Sequence, residues 1–249
     1  MKHFISFAKK GGVLVFWLIV WETVARAVDN IFILVGPVEA FGRLFELAGT
    51  LDFWTSIRFS ILRVFIGFLL SMSAGVALAV ACSMSKLLNA LITPAINVIK
   101  SVPVASFALL LVISLNPSHV SVVISFITVL PIIFFNTFKG IQNTDKNLLE
   151  MAKVFRVNIW RKIRHIYLPS VAPFVVSAAE SGLGFAWKAA ITGEIVSLAT
   201  REGIGGSMQA ARSWLMTADI WAWTIVIIAL SFLMEKIFFL AFRRIKKWQ

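Results

Sequence analysis

The chain carries a single cysteine, Cys82, in 249 residues. One thiol excludes an intrachain disulfide and leaves no cysteine set for a structural metal. Histidine is nearly as scarce, and neither His119 nor His165 stands at metal-ligand spacing from other histidines or carboxylates; both read as loop residues. No serine–histidine–acid arrangement is evident, so the sequence offers no catalytic residues and no metal site. The phosphate loop G-x-x-x-x-G-K-[S/T] is also missing, so the chain supplies no ATP site of that kind. Charged residues make up only 14%, against about 25% in soluble domains. Acids are the scarcer half, 12 against 24 Lys and Arg, giving a net charge of +12.

Apolar residues fill the space that these absences leave. They reach 59%, above the roughly 45–50% of soluble domains, and they come in long runs. The bilayer is therefore the expected solvent, with lipid as the surrounding partner. The basic excess lies beside the apolar runs rather than in a patch on a soluble fold. That pattern fits the positive-inside bias and argues against nucleic acid. Lys9 and Lys10 precede Val13–Trp21, and Ala25-Arg26-Ala27 looks like a signal-peptidase site. Several further apolar spans follow, so this segment is read as a retained first transmembrane helix.

Six spans are expected, at roughly 11–28, 57–82, 91–115, 118–138, 169–196 and 219–241. Each is near the about 20 residues that cross the hydrocarbon core. All must be helical, because lipid offers backbone groups no hydrogen-bond partners. The expectation is one all-α integral membrane domain over 1–249. Lys and Arg concentrate at the N-terminus, at Lys86, in 139–168 and in the tail. Both termini and the 139–168 loop are thus expected on the cytoplasmic side. Gly67, Ser71, Gly75 and Ala79 recur every four residues, as do Ala178, Gly182, Ala186 and Ala190. Such stripes let helix backbones approach closely, or they line a path.

The 139–168 loop is the most distinctive segment. Asn147 is the expected N-cap of a short helix, with Glu150 three residues on, close to a capping box. Leu148, Leu149, Ala152 and Phe155 give that helix an apolar side. A turn near Arg156-Val157-Asn158 ends it, with Asn158 expected to take the left-handed backbone. A second short helix follows from Ile159, and Pro169 fits the first turn of the fifth span. From physics alone the loop is either an interfacial amphipathic helix on anionic lipid or a docking element.

Glu150, Met151 and Ala152, followed at the proper distance by Ile166, Leu168 and Pro169, resemble the EAA loop of bacterial ABC importer permeases. Met151 replaces the second residue of that motif, and Arg156 stands where the family has its glycine. GFAWKAAITGEIV from Gly184 to Val196, Arg63 to Ser83, IKSVPVASFALLLVISL and Gly203-Ile204-Gly205 are similar to the nitrate/sulfonate/taurine branch. The likeness covers the chain from about residue 35 onward. It implies a type I ABC importer permease in the bacterial inner membrane, acting by alternating access. It also implies a pair of permeases, two ATPase subunits that bind ATP and Mg, and an extracytoplasmic solute-binding protein. Glu150, Met151, Ala152, Phe155, Arg156, Leu149, Leu168 and Pro169 would then form the ATPase-coupling element.

Charges inside the spans are costly and are candidates for the substrate path. They are Arg63, Lys100, Glu180, Lys188 and Glu194, with Trp187 beside them, although packing is its plainer role. Lys100 also has a snorkelling explanation. Glu180 and Lys188 are eight apart and share a helix face; Lys188 and Glu194 do not. The branch implies a small anion such as sulfonate, taurine or nitrate, and related permeases carry vitamin precursors such as pyrimidines. The main rival is a secondary transporter driven by an ion gradient, for which Pro103 and Pro131 would supply broken helices. A membrane-embedded enzyme would need clustered acids or histidines, and the acids here are scattered.

Overall fold

Short polar side chains mark where the helices start. The structure, a computed structural model, describes residues 2–197 and 202–246, with side chains at 2–11, 14 and 241–246 left aside. The basic residues Lys2, Lys9, Lys10, Arg243, Arg244, Lys246 and Lys247, and Arg201, lie outside what is described at side-chain level. Helix α1 (Lys2–Val28) is followed by α2 (Pro37–Ala48), which opens on a proline whose missing N–H costs nothing there. Thr50 caps α3 (Leu51–Met84) by accepting from the Phe53 amide, and Ser85 caps α4 (Lys86–Ser101) through Leu88. Beyond Pro103 comes α5 (Val104–Ser114), and Asn116 caps α6 (Pro117–Gln142). The loop helices α7 (Lys146–Val154) and α8 (Ile159–Lys162) lead through a π-turn at Ile163–Tyr167 into α9 (Leu168–Val196). Helices α10 (Ile204–Ser213) and α11 (Thr217–Lys246) complete the chain. No strand occurs among the described residues.

Helix α6 is the central post, packed most extensively against α3 and α9. A Cβ on Gly67 would stand 2.7 Å from the Val122 carbonyl, and one on Gly75 would stand 2.8 Å from the Ile133 Cβ. Helices α3 and α6 therefore run in parallel. Ser71, between the two glycines, donates to the carbonyls of Gly67 and Phe126. On the other side Gly182 faces Val129, and Gly193 faces Ser121, so α9 is antiparallel to α6. Both small-residue stripes are buried, and in this fold they serve helix approach. Phe68, Val129, Ile133, Leu183 and Trp187 fill the centre, with α11 closing one side through Trp223 stacked on Phe53.

Four described helices are long and apolar enough to cross a membrane, or five if α4 and α5 count as one broken span. The expected continuous third span is corrected: α4 and α5 meet at 98°. Pro103 lacks the N–H that would carry the helix through this point, and Val102 before it is extended. Pro131, the other expected break point, sits inside an unbroken α6.

Candidate functional site

The loop between α6 and α9 begins with a cap. Asp145, not Asn147, accepts the amide that starts α7, at 2.8 Å from the Asn147 nitrogen. This displaces the capping box, because Glu150 now lies too far along the helix to reach back, and its side chain makes no hydrogen bond among the described residues. Ala152 is fully buried and anchors α7 to the body, while Leu149 is half-buried. The opposite face is open: Met151 is half-exposed, and Val154, Phe155 and Trp160 are about three-quarters exposed. An apolar surface of this kind, beside Glu150, Lys153 and Arg156, suits cover by lipid or by a partner.

The end of α7 is a Schellman turn. Val157 N–H donates to the Ala152 carbonyl and Arg156 N–H to that of Lys153. The motif needs one left-handed residue, and that residue is Arg156 at φ 50°. The expectation for Asn158 is corrected: it is extended and caps α8 through the Trp160 amide. The family's glycine position therefore keeps the glycine conformation with an arginine in it. A side chain in this region costs roughly 1 kcal/mol. Arg156→Gly should raise stability by about that amount, seen as a higher thermal midpoint in mild detergent. A lower midpoint would mean that the guanidinium makes a stabilising contact outside this subunit.

The second loop helix is not separate, which corrects another expectation. Helix α8 runs without interruption through the π-turn into α9, and Leu168 N–H reaches back to the Ile163 carbonyl. Pro169 follows at once, in the first turn of α9 as expected. Its ring would clash with a carbonyl in a regular helix, and the wider π-turn accommodates it. Ile166 is buried there, and Leu168 is exposed. His165 lies in the π-turn and His119 in the first turn of α6, so both are helical rather than loop residues. Among the described residues no three His, Cys, Asp or Glu side chains gather as a metal site.

At the opposite end of the bundle, Arg63 and Glu194 come together from α3 and α9. Arg63 Nη1 donates to Glu194 Oε1 at 3.1 Å and to the Glu202 carbonyl at 2.8 Å. Glu194 Oε2 accepts from Ser60 Oγ at 2.7 Å and from the Gly205 amide at 3.0 Å. Ser60 accepts in turn from the Ile204 amide. The start of α10 is thereby tied to two long helices. Both glycines of Gly203-Ile204-Gly205 are required here. Gly203 has φ 111°, and a Cβ on Gly205 would fall 2.4 Å from that of Glu194. A second pair, Arg43 with Asp219, fixes α2 to α11. Hydrogen bonds to Asp219 and Glu46 push the Arg43 guanidinium above its usual range.

Two of the six expected path residues, Arg63 and Glu194, thus bond to each other. Trp187 is buried and donates its indole N–H to the Ile227 carbonyl at 3.2 Å. Lys188 is exposed on α9, on the same side as Ser177, Ser181 and Phe185; Glu180 is half-exposed. Lys100 lies over the Phe135 ring, 5.7 Å from its centroid, at the α4–α5 break. Sequence reasoning missed Glu235, an exposed carboxylate of α11 next to Gly184. The same rule that selected Glu180, an acid within an apolar span, would have found it.

Known proteins resemble this chain in sequence and in fold. In the taurine transport system permease protein TauC of Escherichia coli (strain K12), 23% of 245 aligned residues are identical, covering 95% of this chain and 88% of TauC. SsuC of Bacillus subtilis (strain 168), a permease protein named for aliphatic sulfonates, is 24% identical over 233 residues, 92% of this chain and 83% of SsuC. A chain of the bacterial alginate ABC transporter, solved with an alginate pentasaccharide-bound periplasmic protein, superposes with TM-score 0.66 at 16% identity. That match covers 99% of this chain and 96% of the other, and it shows a shared fold. Residues 67–248 match the model of one family, a span that takes in the later part of α3, all of α6 and α9, the α7 loop, and Glu194 and Gly205, but not Ser60 or Arg63. The chain belongs to the binding-protein-dependent transport system inner membrane component family, the permeases of ABC transporters.

Proposed function

We propose that this inner-membrane permease pairs with a second copy of itself and couples to two ATPase subunits through α7. The exposed apolar face of α7, with Phe155 at its end and Ala152 buried beneath, carries the reading. Leu149, Met151 and Phe155 enter a groove of the ATPase, and Glu150 meets a basic group there. Arg156 sets the turn, while Leu168 and Pro169 pass the movement into α9. The α7 end faces the cytoplasm, and a solute-binding protein delivers a small anion to the other end. That assignment rests on the lysines and arginines of the loop and on the likeness to TauC and SsuC. If α1 and the bent α4–α5 pair both cross, the chain spans six times and its termini share the cytoplasmic side. ATP and Mg stay on the partner, and closure of its dimer swings α9 and α6 between two accesses. Arg63, Lys100, Glu180, Trp187, Lys188 and Glu194 belong to or brace the path that this swing opens.

The test is purification of the tagged chain from its native membrane in gentle detergent, with every co-purifying subunit identified. A stoichiometric ATPase and a solute-binding protein support the reading. Recovery of the chain alone, from membranes whose other complexes survive, would favour an ion-gradient-driven carrier that uses the 98° break. Glu150→Lys narrows the question. The carboxylate is exposed and unbonded among the described residues, so insertion should be unaffected, while ATPase association should fall about tenfold or more. Unchanged association would remove Glu150 from the interface.

A further inference from the structure

The break between α4 and α5 does more than interrupt a span. Behind it lies a cavity of about 370 Å³, within the roughly 300–1,000 Å³ range of small-molecule sites. Its walls come from both halves of the broken helix, from the middle of α6 and from α9. Three phenylalanines line it: Phe107 of α5, Phe135 of α6 and Phe185 of α9. Only three lining side chains are polar, namely Lys100, Thr128 and Asn136. Two of these are partly engaged with their own helix. Thr128 donates its hydroxyl proton to the Ile124 carbonyl, and Asn136 donates one amide proton to that of Ile132. Lys100 is different. It has no carboxylate within 4 Å among the described residues, and its neighbour is the Phe135 ring. Lys100 is exposed as well as lining this cavity, and with no carboxylate beside it an anionic ligand in the cavity would pair its charge.

The geometry points to a site for a small anion with a flat aromatic body, its charged group at Lys100 and its ring among Phe107, Phe135 and Phe185. This deepens the permease reading and rests on it. The chemistry separates two kinds of anion. An inorganic oxyanion such as nitrate carries acceptors on every side, and all of them need donors once water is gone. Here the free donors cluster at Lys100 and at the remaining Asn136 amide proton, and the rest of the wall is apolar. An aromatic sulfonate or carboxylate presents its oxygens at one end only. Its ring has a hydrophobic and aromatic destination at the other. A cationic aromatic would meet the Lys100 ammonium and be repelled.

The test uses the permease in lipid nanodiscs, with the ATPase and binding protein recovered with it. Equilibrium binding of labelled benzenesulfonate to the permease–ATPase complex is measured to millimolar concentration, with nitrate as competitor. Saturable binding that nitrate displaces poorly is expected. Lys100→Met should weaken it by about tenfold or more, since it removes a charged donor. Phe135→Leu and Phe107→Leu, which keep the charge, should each weaken benzenesulfonate severalfold. Lys86→Met, at the far end of α4, should change nothing. Absence of saturable binding, equal competition by nitrate, or full binding in Lys100→Met would overturn the proposal. If the ATPase still assembles and its hydrolysis still responds to the binding protein, such a result removes the aromatic site and leaves the permease reading intact. Failure of the ATPase to associate would instead remove the permease reading itself.

Discussion

Arg63→Met is expected to destabilise the protein by about 3–5 kcal/mol, the range for removing one partner of a buried ion pair. The Arg63 side chain is 10% exposed and that of Glu194 is 1% exposed, so solvent cannot take over the lost interaction. The substitution keeps the apolar stem and removes the charge, leaving Glu194 with only Ser60 and the Gly205 amide. One further hydrogen bond is lost with it, to the Glu202 carbonyl. The readout is the temperature at which the detergent-solubilised protein loses its monodisperse elution. Adding Glu194→Gln to Arg63→Met should recover part of the loss. A glutamine carbonyl still accepts from Ser60 and Gly205 but carries no buried charge, so the two substitutions should be clearly non-additive. A midpoint unmoved by Arg63→Met would mean that the Arg63–Glu194 pair contributes nothing net to stability.

Gly67→Val should be the most damaging single change in the bundle centre. A Cβ at this position meets the Val122 carbonyl oxygen at 2.7 Å and Ser125 at 2.8 and 2.9 Å. The nearest obstacle is backbone, which cannot rotate away, so α3 and α6 must separate. Overpacking of this kind costs typically 1–3 kcal/mol and occasionally more. Here it would also disturb the Ser71 bond to the Phe126 carbonyl one turn on. A falling yield of inserted, monodisperse protein is expected, with Gly67→Ala intermediate. Gly42→Ala provides the contrast. Nothing lies within 4 Å of a Cβ there, and alanine is the better helix former, so stability should hold or rise by a fraction of about 1 kcal/mol. Equal behaviour of Gly67→Val and Gly42→Ala would mean that the α3–α6 contact is looser than the geometry implies.

Local spacing carried the loop a long way. The distance from Glu150 to Pro169 and the apolar side of α7 are properties of one continuous segment, so they could be read from residues alone. The cap went to Asp145 because Asp and Asn are equivalent starters by type. The choice between them depends on where α6 ends, at Gln142, and on Thr144 being buried against the body. Residue preference points to Asn158 for the left-handed position, and the Schellman bonds place it at Arg156. Propensity is worth tenths of a kcal/mol per residue, and a closed set of backbone hydrogen bonds outweighs it.

Composition and period by themselves determine an all-helical membrane chain, because lipid forces every backbone group into a helix and apolar length can be counted along the sequence. Hydropathy has no direction, however, so the 98° turn at Pro103 looked like one straight span. The pairing of Arg63 with Glu194 joins positions 131 apart, and Glu235 meets Gly184 across two helices. These relations follow from how α3, α9 and α11 lean on α6, a packing that no residue spacing encodes. The same is true of the Lys100 cavity, whose three phenylalanines come from three different helices. A one-dimensional pattern fixes which face of a helix is apolar; which helix meets that face is settled by side-chain volume and close approach in three dimensions.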